Sequence, residues 1–171
     1  MNPACYVLAL GSNRRHGRHG DPARVIAAAI EALAAAGVGI VRMSPVIRTP
    51  ALGPGGRAYA NAAAVVESRL DPPAMLALLK GIEREFGRRR GRRWGARVID
   101  LDIILWSGGT WPPFPRRGAP GRLAVPHRSW TQRDFVLLPV AHIAADWRDP
   151  LTGRTVRHFL ARLRAPKHRG G

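Results

Sequence analysis

Residues 92–106 read RRWGARVIDLDIILW, and this stretch decides the fold. Val98, Ile99, Leu101, Ile103, Ile104, Leu105 and Trp106 spell a buried β-strand, yet Asp100 and Asp102 stand in the middle of it. A strand has a side-chain period of two, so both carboxylates point to one face while Ile99, Leu101 and Ile103 point to the other. Two like charges side by side on a half-buried surface cost free energy unless a cation neutralises them.

Working outward, Asp71-Pro72 is a helix start, an N-cap followed by proline at the first helical position. Met75, Leu76, Leu79, Ile82, Glu83 and Phe86 then repeat at helical spacing up to Gly87. The same start, Asp21-Pro22, precedes Val25, Ile26, Ala29, Ile30 and Leu33, with a stop at Gly37. Strands are expected over 4–10, 40–47 and 61–70, with Gly53-Pro54-Gly55-Gly56 as a turn between the last two. The order is β-α-β-β-α-β. It predicts an α+β, ferredoxin-like antiparallel sheet with helices packed on one face and extra C-terminal elements. Those extras are a Gly/Pro-rich loop over 107–121, a short helix after Ser129 with Phe135, Val136 and Leu137 packing down, and a helix from Thr155 to Leu163. One domain spanning 1–171 is expected, with a basic tail over 165–171.

Bulk composition narrows the partners. There are 28 Lys+Arg against 11 Asp+Glu, a formal charge of +17, which favours anionic ligands. Cys5 is the single cysteine, so an internal disulfide and a cysteine-based metal cluster are excluded and a cytoplasmic home is expected. The opening MNPACYVLALG has no basic leader, and no apolar run approaches a bilayer span.

Same-face side chains two residues apart on a strand lie roughly 6.5–7 Å from each other. Carboxylates on that baseline can converge on hard cations, and oxygen-only ligands favour magnesium completed by water and phosphate. The competing reading of D-x-D is a structural pair matched to arginine. Immediately upstream, however, GRRRGRRWGAR (87–97) carries six arginines between Arg88 and Arg97, hinged by Gly87, Gly91 and Gly95. Guanidinium forks match phosphate oxygens, and a basic glycine-hinged loop leading into two carboxylates is a layout for phosphoryl transfer. No Walker-type loop or kinase signature is present.

ALGSN (9–13), RTPALGP (48–54), YANAAAVVES (59–68), IEREFGRRRGRRWGARVIDLDIIL (82–105) and AVPHRSWTQRDFVLLPVAHIA (124–144) together resemble the 6-hydroxymethyl-7,8-dihydropterin pyrophosphokinase family over nearly the whole chain. The resemblance implies transfer of pyrophosphate from ATP to a pterin hydroxymethyl group in folate biosynthesis. It further implies two Mg2+ on Asp100 and Asp102, and catalytic roles for Arg88 and Arg97. Thr49, Pro50, Leu52, Tyr59, Asn61, Trp94 and Phe135 would contact the pterin, with Tyr59 and Phe135 sandwiching the ring. Glu83, Arg90, Arg93, Ile103, Arg122, His127 and Arg133 fall where the family handles ATP. Small-molecule substrates, a monomer, and neither nucleic acid nor membrane follow as expectations.

Taken singly, Tyr59 and Phe135 would be core aromatics, His127 a turn or packing histidine and Thr49-Pro50 a strand exit. HGRHG (16–20) hints at zinc, but histidines three apart without further ligands are read as a solvated loop. Ala96, Ala124 and Arg128 depart from the residues usual in the family, the loop after Asn13 is lengthened by basic residues, and the Trp/Pro-rich insertion before Arg122 is longer than usual. An RNA-binding sheet would show stacking aromatics where this strand has aspartates. A two-metal nucleotidyltransferase would not require Thr49, Tyr59, Asn61 and Phe135.

Overall fold

Helix starts and stops appear where the capping chemistry puts them. The computed structural model describes residues 2–49, 57–87, 98–116 and 121–165. Helix α1 (Pro22–Ala35) is capped by Asp21, whose carboxylate accepts from the Arg24 N–H at 3.0 Å. It ends in a Schellman-type turn: Val38 N–H donates to Leu33 O at 3.1 Å across Gly37, which takes φ +84°. Helix α2 (Pro72–Gly87) is capped likewise, Asp71 accepting from the Ala74 N–H at 2.9 Å.

Five strands, β1 (Ala4–Ser12), β2 (Gly39–Met43), β3 (Ile47–Thr49), β4 (Tyr59–Ser68) and β5 (Asp100–Trp106), form one sheet in the order β2-β4-β1-β5, with β3 also on β4. Every pairing is antiparallel. The single strand expected over 40–47 is two pieces. Pro45 has no N–H to offer the ladder, so the chain breaks there. Ser44 bridges the break: its N–H donates to Ala63 O and its hydroxyl accepts from the Ala63 N–H, both at 2.9 Å. β1 runs two residues beyond its expected end, because Gly11 pairs with Asn61 on one side and Asp100 on the other.

Alternation sorts the sheet into two faces. Tyr6, Leu8, Leu10, Ala62, Ala64, Leu101 and Ile103 pack against α1 and α2, the one-face helical layer expected from the sequence. The C-terminal elements cover the other face. A 3-10 turn (Trp130–Gln132), α3 (Asp134–Ala144) and α4 (Val156–Arg164) bury Val136, Leu137, Val140 and Phe159 against Val7, Ala63 and Val65. A bulge in β5 serves both cores. Val7 pairs with Leu105 and Leu8 with Ile103, so Ile104 is the extra residue, and Ile104 and Leu105 both enter the second core.

Trp111 ties the start of the insertion after β5 back to the body: it exchanges two main-chain hydrogen bonds with Val125 at 2.9 Å, and its ring meets Trp106 edge-on. Among the described residues no helix is long and apolar enough to cross a membrane.

Candidate active site

The second face is not covered along its whole length. α3 begins at Asp134, leaving an open cleft of ≈570 Å³ between the ends of β1, β4 and β5 and the first turn of α3. Strand register builds its floor in rows. Asn61, Gly11 and Asp100 lie side by side across β4, β1 and β5; Ala63, Ala9 and Asp102 form the next row. Both aspartates are on the cleft face, while Leu101 between them is fully buried in the opposite core. The pair therefore sits over a floor of the smallest side chains, Ala9 and Gly11.

Gly11, expected as the end of the first strand, is instead a site residue; a glycine inside a strand is a signal of close approach. A Cβ there would meet Asn61 Oδ1 at 3.2 Å. Asn61 is 6% exposed, and its Nδ2 donates to Thr49 Oγ1 at 3.2 Å. Gly11→Ala is thus expected to push the amide out of line and weaken binding of a ligand held by that amide about fivefold, the worth of about one hydrogen bond of ~1 kcal/mol. Titration alongside a melting curve checks this, since the fold should be little affected.

Tyr59 and Phe135 both line the cleft with large exposed faces, 44% and 39%. Neither is the core aromatic its type would suggest. The Arg133 guanidinium, also in the cleft, lies 5.9 Å from the Phe135 ring centre. Asp134 is a further lining residue that sequence reasoning missed; its carboxylate accepts from the Phe135 N–H at 2.7 Å and fixes the first turn of α3.

His127 borders the aspartate side. Its N–H donates to Ile104 O at 3.1 Å and its Nδ1 accepts from Ser129 N–H at 3.4 Å. Burial pushes its pKa below the usual histidine value; the Asp102 charge works against that and Arg133 adds to it. The sign follows directly. Unfolded chain binds the proton more readily, so stability is full above pH about 6.5 and falls as pH drops toward the depressed value. His127→Gln should remove up to one proton's worth of this slope, read from urea midpoints across acid and neutral pH.

The other expected residues divide clearly. Glu83 and Ile103 lie on the opposite face: Ile103 turns its side chain into the first core, and Glu83 is 6% exposed on α2. Arg122 is exposed beside the returning insertion. Pro50, Leu52, Arg88, Arg90, Arg93, Trp94 and Arg97 lie outside the described residues. The HGRHG segment is not a solvated loop. His16 and Gly20 exchange two main-chain bonds at 2.8 Å, and the stacked rings of His16 and His19 pack on Phe86, because three flat rings bury more surface together than apart.

Two carboxylates do not enclose a metal by themselves, and among the described residues no group of three or more His, Cys, Asp or Glu could do so. They do suit a hard cation that keeps water and phosphate in its shell. Beside them stand a buried amide and two exposed rings, a combination suited to a flat heterocycle with a hydrogen-bonding edge.

A family profile described as 7,8-dihydro-6-hydroxymethylpterin-pyrophosphokinase matches residues 7–145. The chain is 40% identical over 158 residues to the 2-amino-4-hydroxy-6-hydroxymethyldihydropteridine pyrophosphokinase of Methylorubrum extorquens, covering 91% of each chain. It is 38% identical over 128 residues to the enzyme of that name from Synechocystis, covering 75% of this chain and 62% of the relative. Among solved structures, a Plasmodium falciparum HPPK-DHPS protein superposes with a TM-score of 0.71 at 14% identity over 94% of this chain. The chain spans only 44% of that longer protein, and the likeness concerns the fold.

Proposed function

This chain belongs to the 7,8-dihydro-6-hydroxymethylpterin-pyrophosphokinase family, and from that premise we propose that the cleft transfers pyrophosphate from ATP to 6-hydroxymethyl-7,8-dihydropterin. The protein is an ATP-dependent diphosphotransferase of folate synthesis. In the reaction the pterin hydroxyl oxygen bonds to the β-phosphorus, the bond from that phosphorus to the oxygen bridging the α-phosphate breaks, and AMP leaves. The hydroxyl proton departs to water or phosphate.

One observation carries the reading: the row Asn61–Gly11–Asp100. Neighbouring strands are about 4.8 Å apart, so the backbone positions that carry the amide and the carboxylate stand roughly 9–10 Å from each other across a glycine. That is the span of a two-ring heterocycle with a one-carbon arm. Asn61 then offers donor and acceptor to the ring edge, while Tyr59 and Phe135 supply flat faces. The arm is directed at the aspartates, where the phosphates would lie.

Asp100 and Asp102 are the residues that would hold magnesium. Bound there, the metal would neutralise phosphate charge and align the attacking and leaving oxygens. Arg133 contributes a fixed cation on the same side, and His127, kept neutral to lower pH by burial, adds a donor without a competing charge. Arg88 and Arg97 remain as catalytic arginines on the sequence resemblance, together with Arg90, Arg93 and Trp94 around the phosphates and ring. No strong base is required, because positioning and charge stabilisation carry this chemistry.

The test is product analysis. Incubated with ATP, magnesium and the pterin, the protein should release AMP and the pterin diphosphate in equal amounts, and neither when the pterin or the metal is withheld. ADP as the nucleotide product, or nucleotide turnover indifferent to pterin, would overturn the reading.

A further inference from the structure

Glu83 lies across the sheet from the cleft, yet it is tied to the strand that carries the aspartates. β5 is the last strand in the order β2-β4-β1-β5, so its outward main-chain groups have no strand neighbour among the described residues. Leu101, the residue between Asp100 and Asp102, turns its N–H outward there, and Glu83 Oε1 accepts from it at 2.7 Å. Lys80, three residues earlier on α2, donates to both oxygens of the same carboxylate at 2.8 and 2.9 Å. A carboxylate accepting from a main-chain N–H is a short, directional, charge-assisted contact. Just upstream, Ser12 Oγ of β1 donates to Val98 O at 2.6 Å.

The consequence follows from the pleat. Leu101 is pinned by its fully buried side chain and by its N–H, and a strand cannot turn one residue without turning the next ones oppositely. We propose that Glu83 is a positioning residue: through the Leu101 N–H it holds the pleat of β5 so that Asp100 and Asp102 reach the cleft in parallel. It acts from behind the sheet, with Lys80 balancing its charge. The proposal rests on the reading that these aspartates hold a metal under a polyphosphate.

Two substitutions separate acceptor from charge. Glu83→Gln keeps an oxygen for the Leu101 N–H; Glu83→Leu keeps the volume and removes the acceptor. Hydrogen exchange at the Leu101 amide, Mn2+ affinity in the presence of a non-hydrolysable ATP analogue, and steady-state kinetics are measured on each. Glu83→Leu should speed Leu101 exchange, weaken Mn2+ binding about tenfold and lower kcat about tenfold, as loss of a group supporting metal ligands does. Its pterin KM should not move, and Glu83→Gln should stay within about threefold of the native protein in every readout. Leu33→Ala, which costs stability in the same core, should leave Mn2+ affinity unchanged.

Native Mn2+ affinity and Leu101 exchange in Glu83→Leu would overturn the proposal. So would a raised ATP KM shared equally by Glu83→Gln and Glu83→Leu, which would make Glu83 a direct nucleotide contact. Should Glu83→Leu not fold, Glu83→Asp, one methylene short of the Leu101 N–H, takes its place with the same expectations. If the native protein fails to make AMP with pterin, the functional reading falls, while the exchange and Mn2+ results still judge the positioning role.

Discussion

Asp102→Asn is expected to lower pyrophosphate transfer by about a thousandfold or more, equivalent to losing ~4 kcal/mol of metal-dependent charge stabilisation. Asp100→Asn should fall in the same range. Both side chains line the cleft on one face of β5, and neither belongs to either hydrophobic core. Asparagine keeps the shape of each but loses the charge that makes a hard-cation ligand. The fold should therefore survive, since neither side chain packs in a core and removing one charge relieves repulsion within the pair, and the melting temperature should hold or rise slightly. Calorimetric titration with a non-hydrolysable ATP analogue, with and without magnesium, gives the mechanism. Native protein should bind the nucleotide far more tightly with magnesium, and the variants should lose that increment. A variant that binds magnesium nucleotide normally but melts much earlier would make the pair a structural one.

The second large effect belongs to the aromatic faces. Phe135→Ala should weaken pterin binding by roughly 30-fold, about 2 kcal/mol, within the range for one ring stacked on a heterocycle. Tyr59→Ala should cost a comparable amount, and the double variant less than the product of the two, since both rings clasp one ligand. The two side chains are 39% and 44% exposed, so little core packing is lost with them. Titration of 6-hydroxymethylpterin into protein saturated with the ATP analogue measures the loss directly, while affinity for the analogue alone should be unchanged. An equal loss of nucleotide affinity would mean that these rings shape the whole cleft rather than one ligand.

The residues differ in how openly the chain declares them. Asp100 and Asp102 declare themselves, because a charged pair at a spacing of two inside VIDLDIIL has only one geometric meaning on a strand. Asp21-Pro22 and Asp71-Pro72 are equally direct, since capping is a local hydrogen bond between residues three apart. Asn61, Thr49, Tyr59 and Phe135 were expected only through resemblance; by type alone Tyr59 and Phe135 pointed to a core and Thr49-Pro50 to a strand exit. Gly11 and Asp134 were missed as site residues, and Glu83 and Ile103, grouped with ATP from the resemblance, stand behind the sheet.

Periodicity and capping act over a few residues, and the sequence by itself therefore determined the helices, the face of β5 that bears the carboxylates and the β-α-β-β-α-β order, apart from the break that divides the 40–47 strand into β2 and β3. Only the tertiary structure decided what lies beside what. The row Asn61–Gly11–Asp100 joins residues 50 and 89 positions apart through the register of three strands. The bulge at Ile104, the docking of His16 and His19 on Phe86 and the grip of Glu83 on Leu101 are likewise long-range. Such pairings are chosen by the burial of two opposite faces at once, a condition that no single segment carries in its own pattern.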